Sequence, residues 1–126
     1  MGDEVRKELK YTETHEWLKL EGEKAKVGIT DHAQEELTDI VFVELPETGK
    51  KVKKGDELCV VESVKSVSEI YAPVSGEISA VNNELEDSPE LVNEKPYDDG
   101  WLVEIKISDK PEIDKLLDSE EYKKNI

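Results

Sequence analysis

One lysine in this chain of 126 residues has a setting that suggests chemistry. Residues 62–76 read Glu-Ser-Val-Lys-Ser-Val-Ser-Glu-Ile-Tyr-Ala-Pro-Val-Ser-Gly, with Lys65 between two apolar runs of strand character. Leu58, Cys59, Val60 and Val61 precede it; Val67, Ile70, Tyr71 and Ala72 follow. Strand, short break and strand make a hairpin, whose tip holds its side chain in solvent at fixed geometry, with Val60, Val61 and Ile70 steadying the strands behind. An enzyme can reach and acylate an amine so presented. Lys65 is therefore a candidate attachment point for a mobile cofactor, flanked by the acids Glu62 and Glu69. An unmodified lysine there is hydrated and cationic at neutral pH, so the modifying enzyme must help deprotonate it. Acylation would take the formal net charge from −15 to −16. The plainer alternative is an ordinary solvated turn lysine.

Other chemistries find little support. The two histidines, His15 and His32, do not lie at metal-ligand spacing, and no Asp-rich calcium loop is present. The glycines form neither a phosphate loop nor a dinucleotide fingerprint. Ser63 and Ser75 lack an evident histidine base. The net charge argues against nucleic acid and against an anionic membrane surface, and it favours partners with basic docking patches. No apolar run approaches the roughly 20 residues of a membrane span. The first ten residues have no apolar core of a signal peptide and only one Arg. Cys59 is the single cysteine, in an apolar strand, and reads as a buried inert thiol.

Positioning the lysine falls to many short strands. Residues 1–8 read as a flexible arm and 9–126 as one domain. Residues 16–20 and 25–29, around Glu-Gly-Glu-Lys, read as a hairpin. Asp31 is expected to cap a short helix ending near Thr38, with Gln34 completing a capping box. Ile40 to Leu45 is a strand, and turns follow at 46–49 and 53–56. Residues 57–64 and 66–71 flank Lys65, and 77–81 is a further strand. The segment 84–99 is acidic, with Ser88-Pro89 as a helix start. Trp101, Val103, Ile105 and Ile107 alternate as the last core strand. Ile113, Leu116 and Leu117 mark closing helices. Trp17 and Trp101 read as core anchors. The sum is a mainly β sandwich or barrel with peripheral helices.

Several stretches together resemble the H proteins of the glycine cleavage system. They are Tyr11-Thr12-Glu13-Thr14-His15-Glu16-Trp17, Val27-Gly28-Ile29-Thr30-Asp31-His32-Ala33-Gln34, Val41-Phe42-Val43-Glu44-Leu45-Pro46, Val61-Glu62-Ser63-Val64-Lys65-Ser66, Ala72-Pro73-Val74-Ser75-Gly76-Glu77, Glu84-Leu85-Glu86-Asp87, Pro89-Glu90-Leu91-Val92-Asn93 and Pro96-Tyr97-Asp98-Asp99-Gly100-Trp101. The resemblance spans about residues 9–124. It implies a lipoyl-domain-like barrel-sandwich hybrid of two antiparallel sheets, with lipoate amide-linked to Lys65 on a hairpin. It implies a non-catalytic, monomeric shuttle. The loaded arm would carry an aminomethyl group from a pyridoxal-phosphate glycine decarboxylase to a tetrahydrofolate-dependent aminomethyltransferase. A flavin dihydrolipoamide dehydrogenase would then reoxidise it, and lipoate-attaching enzymes would load it.

By the same resemblance Glu16 would pair with the cationic arm tip, with Thr14 and Glu69 nearby and His32 either lining the cleft or donating a structural hydrogen bond. Serine commonly stands in this family where Thr14 is, and aspartate where Glu69 is. The implied compartment is bacterial cytoplasm, or the mitochondrial matrix for a processed chain. Three alternatives stay open. One is an H-like lipoyl donor to other enzymes. Another is a biotin carrier, which Val64 and Ser66 argue against, since biotin-accepting lysines usually sit between methionines. The last is an unmodified binding module.

Overall fold

A computed structural model describes residues 4–126. The strands are β1 (Lys10–Tyr11), β2 (Glu16–Glu21), β3 (Lys24–Ile29), β4 (Ile40–Glu44), β5 (Lys51–Val52), β6 (Glu57–Ser63), β7 (Val67–Tyr71), β8 (Gly76–Val81) and β9 (Val103–Ile107). They form two antiparallel sheets, one of six strands in the order β1-β2-β3-β9-β8-β5 and one of three in the order β4-β6-β7. The expected mainly β architecture of two sheets is thus present. Between them lies an aliphatic core that includes Val27, Val43, Val61, Ile78, Val103 and Ile105. Burying each such side chain contributes roughly 1.5–3 kcal/mol.

β2 buries both faces at its start. Successive side chains on a strand point to opposite faces, so Leu18 enters the main core while Trp17 enters a second cluster with Leu9, Tyr11, Tyr97 and Tyr122. Trp17 donates its indole N–H to the Pro96 carbonyl at 2.9 Å. It is the core anchor its type suggested, at 1% exposure. Trp101 is only partly buried, with the Lys26 ammonium 5.1 Å above its ring.

Part of the segment drawn as a flexible arm is tied to this second cluster. Residues 1–3 lie outside the described residues. Arg6 binds Asp98 through both terminal nitrogens, at 3.0 and 3.1 Å. Its backbone N–H donates to the Tyr11 hydroxyl, and the Tyr97 hydroxyl donates to the Glu4 carbonyl. Tyr122 stacks on Tyr11 at 4.6 Å from helix α4 (Ser119–Lys123), which follows a 3-10 helix at Lys110–Lys115.

Three local readings need correction. Helix α1 (Asp31–Leu37) is capped by Thr30, whose hydroxyl accepts the Ala33 N–H at 3.2 Å. Asp31 is the first helical residue, and it accepts the Gln34 side-chain amide instead. The pattern was displaced by one because two adjacent residues, Thr30 and Asp31, are both good caps. Ser88 does not start a helix; it closes α2 (Glu84–Asp87) by donating its N–H to the Glu84 carbonyl at 2.8 Å. The next helix is α3 (Leu91–Glu94), and Leu85 and Val92 plug these two single turns into the core. The last strand starts at Val103, not Trp101. No helix among the described residues is long and apolar enough to cross a membrane.

Candidate functional site

The β6–β7 hairpin turns at Val64 and Lys65, and neither residue has a positive φ. Ser63 holds this turn. Its N–H donates to the Ser66 carbonyl at 2.8 Å, and its hydroxyl accepts the N–H groups of Lys65 and Ser66 at 3.1 and 3.0 Å. A serine hydroxyl folding back on the next backbone amides is a local turn-maker. The turn is also bound to its neighbour, because the Val64 N–H donates to the Asp39 carbonyl at 3.0 Å. Behind it Val61 and Ile70 are buried, whereas Val60 pairs with Glu69 on the outer face.

Lys65 itself is exposed. Its ammonium donates one hydrogen bond, at 3.1 Å, to the Glu36 carbonyl in the last turn of α1. Helix ends leave such carbonyls without intrahelical partners. No ion pair holds Lys65 among the described residues. The amine is displayed by a fixed turn and released by breaking one exposed bond.

Glu16 opens β2 behind a tight loop in which His15 takes a φ of 71°. It is 2% exposed. One carboxylate oxygen accepts the hydroxyls of Thr12 and Thr14, and the other accepts the Tyr71 N–H at 3.3 Å. Burial pushes the Glu16 carboxyl above its ordinary range, opposed by the Thr12 and Thr14 hydroxyls and then the Tyr71 amide. The Tyr71 hydroxyl donates to Glu69 at 3.1 Å. Thr14, Glu16 and Glu69 therefore lie on one hydrogen-bonded string, with Thr14 and Glu69 exposed at its ends and Glu16 enclosed. Among the described residues, no lysine pairs with Glu16.

His32 belongs elsewhere. Its ring is 4.8 Å from that of His15 and its Nε2 is 3.7 Å from a Glu36 carboxylate oxygen. His15 Nδ1 in turn meets the Tyr122 hydroxyl at 2.8 Å. Among the described residues, no group of three or more His, Cys, Asp or Glu is placed to hold a metal ion.

Sequence reading missed Thr12 and Tyr71. Thr12 had a signal, a hydroxyl four residues before a strand-opening acid. Tyr71 had none for its contact with Glu16, which a backbone N–H makes.

Comparisons with known proteins identify the family. The family model described as Glycine cleavage H-protein matches residues 9–126. The chain is 54% identical over 123 residues to a protein named Glycine cleavage system H protein from Rubrobacter xylanophilus, covering 98% of this chain and 95% of that one. It is 53% identical over 122 residues to one of the same name from Staphylococcus carnosus, covering 97% of each. The crystal structure of a glycine cleavage system H protein from Mycobacterium marinum superposes with a TM-score of 0.86 at 38% identity, covering 94% of this chain and 95% of that one. With the match spanning nearly its whole length, this chain belongs to the glycine cleavage H-protein family.

Proposed function

We propose that Lys65 carries lipoate in amide linkage, and that the loaded arm serves glycine decarboxylase, the aminomethyltransferase and dihydrolipoamide dehydrogenase in turn. The carrier role in glycine cleavage, without catalysis by the chain itself, comes with the family. The observation that carries the attachment site is the Lys65 amine, exposed on a turn fixed by Ser63 and bound, among the described residues, to one carbonyl. Bound lipoate supplies a disulfide that opens on reduction and can hold a one-carbon fragment on sulfur.

The protein's own contribution is display and shelter. Tethering raises the local concentration of the reactive end at each partner. Tyr71 lies six residues beyond Lys65, roughly 20 Å along the strand, so a long arm laid along β7 approaches the Glu16 string. There Thr14 and Glu69 offer exposed polar contacts. Glu16 offers a carboxylate to a cationic tip once a threonine hydroxyl gives way. His32, in the separate histidine pair, is the weakest of these contacts. The bacterial cytoplasm is the compartment this reading favours.

The test is intact-mass measurement after co-expression with a lipoate ligase. Wild type should gain one lipoyl group and Lys65→Arg none. A lipoylated Lys65→Arg protein would overturn the assignment.

A further inference from the structure

β4 carries four consecutive apolar residues, Ile40, Val41, Phe42 and Val43. Regular alternation would place Ile40 and Phe42 on one face and Val41 and Val43 on the other. The chain does otherwise. The register with β6 shifts between Ile40 and Phe42, a bulge at Val41. As a result Ile40 and Val43 face the core, while Val41 and Phe42 both stand 51% exposed. A bulge leaves one residue outside the ladder, and bulges recur where a side chain is re-aimed beside a functional site. The side chain re-aimed here is the chain's single phenylalanine.

Phe42 pairs with Glu62, and Glu62 pairs with Val67, so the three form one row on the outer face of the three-stranded sheet. Val67 is 65% exposed and Val64, next to Lys65, is 67% exposed. Four of the six exposed large hydrophobics among the described residues, Val41, Phe42, Val64 and Val67, thus lie on β4 and on the hairpin that carries Lys65. Glu44 and Glu69 continue the same face in the next row. Clustered apolar exposure of this kind marks a contact surface.

We propose that this face, built on Phe42, Val64 and Val67 with Glu62 between Phe42 and Val67 and with Glu44 and Glu69 in the next row, is the docking surface for the enzyme that acylates Lys65. The inference rests on the attachment reading above. The acylating enzyme is the occupant because of reach. It must bring an activated carbonyl to bonding distance of the Lys65 amine, so it has to cover the hairpin within one side chain's length. Enzymes that act on the far end of a long arm need not touch it. The complementary surface is an apolar hollow that takes the Phe42 ring, rimmed by Lys or Arg facing the three glutamates. Aromatic anchors in such hollows carry most of an interface's binding energy, and the charged rim governs encounter rate and salt dependence.

The experiment follows acylation by intact mass with purified lipoate ligase, lipoate and ATP. Phe42→Ser should lower kcat/KM by roughly tenfold or more, mainly through KM, and Val67→Ser should act in the same direction. Phe42→Leu should restore most of the loss. Leu20→Ser, at an exposed apolar residue away from the hairpin, should match wild type. Thermal melts of the variants separate docking from folding. Wild-type rates for folded Phe42→Ser and Val67→Ser would overturn the docking surface and leave the attachment reading intact. A wild type never acylated at Lys65 would remove both.

Discussion

The carboxylate of Glu16, on β2 of one sheet, accepts the backbone N–H of Tyr71, on β7 of the other, at 3.3 Å. This bond crosses between the sheets where the lysine hairpin ends, and two threonine hydroxyls hold the acid in place. Replacing Glu16 with Ala leaves those donors without it and should cost about 1–3 kcal/mol, read as a lower chemical denaturation midpoint.

Glu16→Gln asks a different question. Burial raises the folded pKa above the ordinary 4.5, so Glu16 holds its proton more tightly in the folded protein than in the unfolded chain, which adds stability where the proton is bound. That stability is full below the unfolded pKa and is lost as pH rises through the folded value. Wild-type and Glu16→Gln melting temperatures should converge at acid pH, with the Gln variant increasingly the more stable toward neutrality. A gap that instead grows on acidification contradicts the burial account.

His15 should give the opposite slope. Burial holds its pKa below the ordinary 6.5, His32 lowers it further, and Glu36 opposes both. Its stability is present above the unfolded value and is lost as pH falls through the folded one. His15→Gln should flatten that part of the stability profile below about pH 6.5, as measured by denaturant unfolding across the pH series.

Ser63→Ala removes the hydroxyl that accepts two amide protons at the Lys65 turn. The cost should be about 1–2 kcal/mol. Hydrogen exchange is the sharper readout: the Lys65 and Ser66 amides should exchange faster, while β9 amides keep their protection relative to global unfolding.

Gly28→Ala tests the second cluster. A Cβ at this position would sit 2.7 Å from the Trp17 indole ring, which is buried and tied to the Pro96 carbonyl. Overpacking against a ring with no free side should cost about 1–3 kcal/mol. A melting temperature equal to wild type would show that the ring can move.

What could be read from the chain follows from what was local. The Lys65 hairpin was legible because apolar runs on both sides of a polar break have one simple solution. The two-residue strands β1 and β5 were too short to carry a period. The Val41 bulge was invisible, since four apolar residues in a row give no hint of which two face outward. Thr30 and Asp31 are both competent caps, and only packing chose between them. For the candidate site, Glu16, Thr14 and Glu69 came from family resemblance, and their joining through Tyr71 depends on how two sheets meet.

Cys59 lies under the same sheet that displays Lys65, 4% exposed, with burial holding its thiol far from ionisation. Exchange with a disulfide needs an accessible thiolate. A scaffold that holds a reducible sulfur pair on its own surface would be undone by a competing sulfur within the arm's sweep. By sealing its single thiol in the interior, this chain leaves no partner for an internal mixed disulfide, so under the proposed lipoyl attachment at Lys65 the redox state of the dithiol would be left to the visiting enzyme.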